Sequence, residues 1–383
     1  MAGRLWTRWG QEWAVYNTPL LVLLVAVPVL SWVAVIMQDN GYLATTLFPI
    51  LLFMIAMMGT ASWWIFQQDR WLGALMIWWC VSVLWTRTPH AFETTMLTVL
   101  GATALVLVMK LTVEQRILAM RLVVIGAVAI AVSALIQATG FDPVWWTEYG
   151  AVGTLGNTAY VAALMAIVLP FAPRWAVPIL LGALIVTKAS LAMLAAMLGL
   201  AWRFRRWMWI WAVLAVPMMS LMIYWRGAGE FLRSQAFRLD IWQMAWAHMT
   251  WRAWLIGYGP GAWFDRVPKM QDTLRVHPGY YFTYAHNEWI QLVWEGGACV
   301  ALVLVLGWMW SHRTMFASPY GGSVISVLVL SGGWFIFHLP NVVLTIVIVL
   351  GVAVAWAPAP AEEPVPVALR LSRTLRRKGL VHA

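Results

Sequence analysis

Apolar runs of roughly 17–25 residues recur along this sequence from near its start to its last quarter, each long enough to cross about 30 Å of hydrocarbon. No solvent in a bilayer core satisfies the backbone, so runs of this kind have to become helices that satisfy it internally. Composition agrees: 62% of the residues are hydrophobic and 10% are charged, too few charges to cover a soluble surface of this size. The reading is an all-α integral membrane protein. The first run follows a short basic-aromatic leader and lacks a small-residue cleavage site, so it reads as a retained helix, not a signal peptide. Cys80 and Cys299 both lie inside apolar runs, which reads them as buried thiols.

Twelve spans are expected, at 20–37, 42–66, 71–86, 91–109, 117–138, 158–172, 175–187, 189–202, 207–225, 288–310, 322–338 and 340–356. Pro173, Pro319, Gly321–Gly322 and Pro340 punctuate them. The pair 175–187 and 189–202 is short, and reads equally as one hairpin that does not fully cross. One set of short loops collects Arg4, Arg8, Arg70, Lys110, Arg116, Arg121, Arg174, Arg203, Arg205, Arg206 and Arg313, and the tail adds Arg370, Arg373, Arg376, Arg377 and Lys378. The opposite short loops hold Arg87 and Lys188. The positive-inside rule then puts both termini in the cytoplasm. Four regions follow: nine helices in 1–225, a periplasmic loop at 226–287, three helices in 288–356, and a basic cytoplasmic tail at 357–383. The tail reads as a solvated topology signal before it reads as a lipid anchor. Trp145–Trp146, Trp207, Trp209, Trp211, Trp308 and Trp310 lie near expected helix ends, where indole anchors to the interface.

The segment 226–287 is the one long hydrophilic stretch, and the chemistry is expected there. It carries seven basic residues (Arg226, Arg233, Arg238, Arg252, Arg266, Lys269, Arg275) against four acidic ones (Glu230, Asp240, Asp265, Asp272). A long loop translocates whatever its charge, but this excess calls for a reason, and guanidinium forks match phosphate oxygens. Residues 234–251 place Phe237, Ile241, Met244, Ala245 and His248 at helical spacing, an amphipathic helix suited to the bilayer surface, with Arg238 on another stripe. Gly257-Tyr258-Gly259-Pro260-Gly261 reads as a tight turn before a ligand cradle. The aromatic run Tyr280, Tyr281, Phe282 and Tyr284 precedes Ala285-His286-Asn287-Glu288. A neutral imidazole at His286 beside a bound phosphate is a proton acceptor, against the plainer reading of an interfacial residue. Asn287 is suited to cap the next helix, and Glu295 is either a packing residue or part of the site.

These pieces, in this order, resemble the O-antigen ligase and polymerase superfamily of lipid-linked glycan transferases. An arginine-led helix runs into a Gly-x-Gly turn, R238LDIWQMAWAHMTWRAWLIGYGPGAWF264, and a His-Asn pair opens the next helix, A285HNEWIQLVWEGG297. G153TLGNTAYVAALMAIVLP170 matches the family's asparagine-containing segment at Asn157, and Thr187-Lys188-Ala189-Ser190 loosely meets its Ser-Arg-Gly-like helix entry. Departures are Lys188 in place of an arginine and Val300 in place of a glycine.

The resemblance implies a GT-C-like fold of about twelve helices in the bacterial inner membrane. It implies transfer of a glycan from an undecaprenyl-diphosphate carrier to an acceptor hydroxyl, inverting and metal-independent, with no cofactor and no nucleic acid. The acceptor is lipid A-core for a ligase, a lipid-linked glycan for a polymerase, or protein for a third branch; membrane lipids surround the site. His286 and Arg238 are the expected catalytic pair, with Arg266, Arg275, Asn287, Lys188, Asn157, Glu295, Trp263 and Tyr284 expected to bind substrate. A transporter is the alternative from another class, but the spans carry little mid-membrane charge and no repeat relates 1–190 to 191–383. A non-catalytic scaffold leaves the ordered arginines and histidine unexplained.

Overall fold

Helices form where an apolar run meets a start signal. The computed structural model describes residues 48–86, 88, 90–141, 151–207, 227–277, 279 and 281–356, with single positions at 210, 213, 217, 220 and 224. In chain order the α-helices are α1 (Phe48–Gln68), α2 (Arg70–Ser82), α3 (Ala91–Met109), α4 (Val113–Ala138), α5 (Thr158–Val168), α6 (Val177–Val186) and α7 (Ser190–Arg203). There follow α8 (Ala228–Ala247), α9 (Trp251–Ile256), α10 (Ala262–Leu274), α11 (Glu288–Gly296), α12 (Val303–Ser311), α13 (Gly321–Ser331) and α14 (Pro340–Ala355). Among the described residues there is no strand. Side-chain caps start several of them: Asp69 accepts from Leu72 N–H for α2, Thr112 and Gln115 form a capping box for α4, and Thr250 accepts from Ala253 N–H for α9.

Among the described residues three helices are long and apolar enough to cross a membrane: 91–109, 113–138 and 288–311. Shorter apolar helices lie at 158–171, 177–186, 190–203, 321–331 and 342–355. The expected spans 20–37 and 207–225 and the basic tail fall outside the described residues, apart from isolated positions. The expected span 322–338 is shortened: α13 stops at Ser331, and Gly332–Gly333 lead into an irregular stretch that ends in a 3₁₀ turn at 336–338. Two adjacent glycines leave little to hold a helix together, and Pro340 then begins the next one.

Two apolar cores form. The larger lies among α1–α7 and α12–α14, and small residues let its helices close on one another. At the α7–α13 contact Ser326 Oγ donates to the Ala195 carbonyl at 2.9 Å, and a Cβ on Gly199 would sit 2.6 Å from the Gly322 carbonyl. The smaller core belongs to the loop itself: Ile241, Met244, Ala245, Met249, Ala253, Trp263 and Val267 pack on Ala285, Val293 and Trp294. The apolar stripe of α8 is therefore turned into protein rather than laid on a bilayer surface. Burying it against α11 removes the same area from water and adds close packing.

The 288–311 helix is broken. Gly297 has φ 84°, ψ 144°, and a π-turn over 297–302 follows. Carbonyls released by a break inside a membrane are costly unless paired. Here Tyr258 N–H donates to the Trp294 carbonyl at 2.9 Å, Gly259 N–H to Glu295 at 2.8 Å, and Trp78 Nε1 to Gly296 at 2.9 Å. The glycine turn is thus a packing device that seals the break. Gly257 (φ 72°) admits no side chain, because a Cβ would lie 2.0 Å from the Glu295 carbonyl oxygen. At the far end of this span Trp308 is buried within the protein: its Nε1 donates to Asp69 Oδ2 at 2.9 Å, where His312 also binds at 2.7 Å. Cys80 is half-buried but Cys299 is exposed on the protein surface, against the buried reading, because the π-turn rotates it away from the core.

Candidate active site

Five segments far apart in sequence line one cavity of about 450 Å³: Asn157–Tyr160, Thr187–Ala189, Arg238, His286, and Trp334, Phe335 and Leu339. The volume is within the roughly 300–1,000 Å³ of small-ligand sites.

Helix ends supply two of its walls. Asn157 caps α5, its Oδ1 accepting from Ala159 N–H at 2.8 Å. The turn before it is pinned by Gln137, whose Oε1 accepts from Gly153 N–H at 2.6 Å. Lys188 lies at the entrance to α7 with φ 53°, a left-handed conformation unusual for a residue with a Cβ. The Ala189 that follows gives α7 no side-chain cap, so the first amides of this 14-residue helix keep their partial positive charge beside Lys188.

Arg238 reaches the cavity from the side of α8. Ile241, Met244 and Ala245 commit one stripe to the loop core, and the guanidinium leaves by another to donate to the Gly333 carbonyl at 3.1 Å. His286 lies in the non-helical approach to α11 with φ 51°. Its ring packs edge-on against Phe335 (centroids 4.7 Å apart, planes at 89°) and Phe282 (5.5 Å, 78°). Nδ1 is buried and has no hydrogen-bond partner among the described residues. Burial, and secondarily the charge of Arg238, push its pKa down to about 4. The imidazole is therefore neutral at physiological pH, with a lone pair available.

Tyr284 stands behind the cavity wall, stacked on Phe335 at 5.0 Å and 11°; burial raises its phenol above the usual range. Asn287 caps α11 by accepting from Trp289 and Ile290 N–H, and its amide donates to the Gly332 carbonyl at 2.8 Å. Both support the cavity without lining it.

Four expected binding residues lie elsewhere. Trp263 is fully buried in the loop core, edge-on to Trp294 and donating to the Phe282 carbonyl at 3.1 Å, so it offers no face to a sugar. Glu295 is buried and accepts from Gly261 N–H, Trp263 N–H and Gln291 Nε2, tying the glycine turn to α11. Arg266 lies 4.4 Å above the ring of Tyr258. Arg275 ends α10 in a left-handed conformation and lines a different, open groove with Asp240 and His277.

Sequence reasoning missed Tyr160, Trp334, Phe335 and Leu339 on the cavity wall. The signal for the last three was present in Gly332–Gly333, which interrupt an apolar run, and in His338, an ionisable residue inside it. Among the described residues no group of three or more His, Cys, Asp or Glu is arranged to hold a metal ion. No protein-family model matches the chain, and no curated protein matches it beyond chance.

Proposed function

We propose that this protein is a membrane-embedded glycan transferase of the O-antigen ligase type, moving a glycan from an undecaprenyl-diphosphate carrier to an acceptor hydroxyl at the periplasmic face of the inner membrane. One observation carries the reading: Arg238, Lys188, His286 and Asn157 come from four separate segments and line a single cavity. Two cations and the uncapped start of α7 suit a diphosphate, and a neutral imidazole beside them suits a hydroxyl.

In the proposed reaction the acceptor oxygen attacks the anomeric carbon as the bond from that carbon to the diphosphate oxygen breaks. Configuration inverts in this single displacement. The hydroxyl proton passes to His286, a contribution of roughly 10²–10⁴ in rate. Arg238 and Lys188 face the charge that grows on the leaving diphosphate, where preorganised donors contribute most. Tyr160, Trp334 and Phe335 give the cavity aromatic walls on which a sugar ring can stack.

A transporter reading draws on the broken helix at Gly297 and on buried Glu295, features that transporters also use. Against it, Glu295 is paired within the protein and does not face the cavity. The deciding experiment measures glycan transfer in membranes from a host without its own ligase and polymerase, using wild type, His286→Ala and Arg238→Ala at equal expression. Loss in both variants is expected. A ladder on lipid A-core identifies a ligase, and lengthened chains on the carrier identify a polymerase. Intact transfer in either variant refutes the site, and no transfer by wild type with lipid-linked glycan present favours the transporter.

A further inference from the structure

The backbone leading into His286 is held from both sides. Gln291 Oε1 accepts from Ala285 N–H at 3.1 Å, and Trp242 Nε1 donates to the Ala285 carbonyl at 2.7 Å. A left-handed φ at a residue with a Cβ persists only where the surroundings over-determine it, and these two bonds fix the peptides on either side of Ala285.

Gln291 is in turn held. Its Nε2 donates to Glu295 Oε1 at 3.3 Å and lies 3.1 Å from His338 Nε2. His338 Nδ1 lies 3.3 Å from Glu288 Oε2, and Glu288 Oε1 accepts from Phe337 N–H at 2.7 Å.

The direction of these bonds is determined. Ala285 N–H is a donor only, so the amide oxygen of Gln291 must face it and the amide nitrogen must face Glu295 and His338. In its neutral form His338 then accepts at Nε2 and carries its proton on Nδ1, toward the Glu288 carboxylate. A flipped Gln291 amide would set donor against donor at Ala285.

None of Gln291, His338, Glu288 or Trp242 lines the cavity. They reach it through His286. A leucine at 291 would fill the same buried space, but would leave Ala285 N–H unpaired.

We infer that Gln291, oriented by His338 and Glu288, is a positioning residue that sets the angle at which His286 meets the acceptor hydroxyl; its catalytic consequence rests on the transferase reading above.

The test uses the full chain in nanodiscs. Gln291→Met keeps the length and removes the acceptor. Gln291→Glu, holding the proton that two buried carboxyls so close must share, keeps an acceptor for Ala285 N–H and a donor toward Glu295. Wild type reports the transferase reading, and His286→Ala the role of His286. Steady-state transfer from a lipid-linked glycan donor should show kcat lowered roughly 10- to 100-fold in Gln291→Met, the scale of an ångström-level misplacement. Donor KM should stay within about twofold, since Arg238 and Lys188 are untouched, and Gln291→Glu should recover most of the loss. In ¹³C-histidine spectra, the His286 signal (assigned by its disappearance in His286→Gln) should move in Gln291→Met and stay in place in Arg275→Ala. An unchanged kcat or an unmoved His286 signal in Gln291→Met overturns the inference, as does a loss that tracks thermal stability and is not rescued by glutamate. Full activity in His286→Ala would remove His286 from the chemistry, and no transfer by wild type would bring down the transferase reading; both are distinguishable because they appear outside the Gln291 variants.

Discussion

Replacing Arg238 with glutamine removes the charge facing His286 while keeping a donor for the Gly333 carbonyl. In the wild type His286 titrates near 4 instead of its usual 6.5, first because it is buried and second because of Arg238. That gap is worth roughly 3 kcal/mol at about 1.4 kcal/mol per pH unit. Burial is the larger cause, so the guanidinium accounts for less than half of it, and His286 in Arg238→Gln should titrate above about 4 but no higher than about 5. The sign for stability follows from proton counting. Between about 4 and 6.5 the unfolded chain binds a proton at His286 that the folded chain does not, so stability rises with pH through that window and the penalty is gone above it. The substitution narrows the window and makes the fold slightly more acid-tolerant. A ¹³C-histidine titration in nanodiscs measures the pKa, and thermal unfolding at about pH 5 and about pH 7.5 measures the linkage. If His286 titrates at or below its wild-type value in Arg238→Gln, or near 6.5 in the wild type, the electrostatic account is wrong. Transfer should fall about 10²–10³-fold, as for a lost transition-state donor.

Lys188→Met should raise donor KM and lower kcat while leaving melting unchanged or slightly higher, because Lys188 is exposed; equal kinetics in variant and wild type would remove it from the site. Gly257→Ala should melt well below wild type, by more than about 2 kcal/mol, since its Cβ would meet the Glu295 carbonyl at 2.0 Å; a wild-type melting curve would refute the packing role of the turn. Trp263→Ala should cost about 3–5 kcal/mol of stability, whereas a sugar platform would lose donor affinity at constant stability. Arg275→Ala should transfer glycan within about twofold of wild type, because its groove is separate from the cavity; a tenfold loss would show that substrate reaches both.

The features legible in sequence are those fixed by neighbours in the chain. Asn287 reads as a helix starter from its own local pattern and caps α11 as expected, whereas Asn157, expected to bind substrate, also caps α5. Of the helix face read at Phe237, Ile241, Met244, Ala245 and His248, the three central residues are buried, Phe237 is half-buried and His248 is exposed. What that stripe packs against was not legible. Trp263 sits in a hydrophilic loop and looks available, yet the loop builds its own core from Met249, Ala253 and Val267 with Val293 and Trp294 of α11. Arg238 meets a carbonyl 95 residues away, and Trp78 meets one 218 residues away. Such partners depend on where whole helices stop, and no local periodicity encodes that. At the end of α13 the interruption was visible in Gly332–Gly333, but that their carbonyls receive Arg238 and Asn287 was not.

One helix links the two halves of the site. His286 and Asn287 stand at the start of α11, and ten residues after Asn287 the same chain breaks at Gly297. The break exposes carbonyls that bind the Tyr258–Gly259 backbone, and Glu295 just before it binds Gly261 and Trp263. The loop is thereby fastened to α11 at a fixed height, and α8, packed on the same loop core, inherits that height. Arg238 and His286 are therefore referenced to one rigid element although 48 positions separate them. A continuous helix would satisfy its own carbonyls and offer the loop no backbone partners. The break is a local cost in helix continuity, offset by a fixed relation between the arginine and the histidine. Misplacing such a pair by an ångström costs about a hundredfold in rate. On the proposed reading, glycines with no space for a Cβ that do not line the cavity still serve it by holding this geometry.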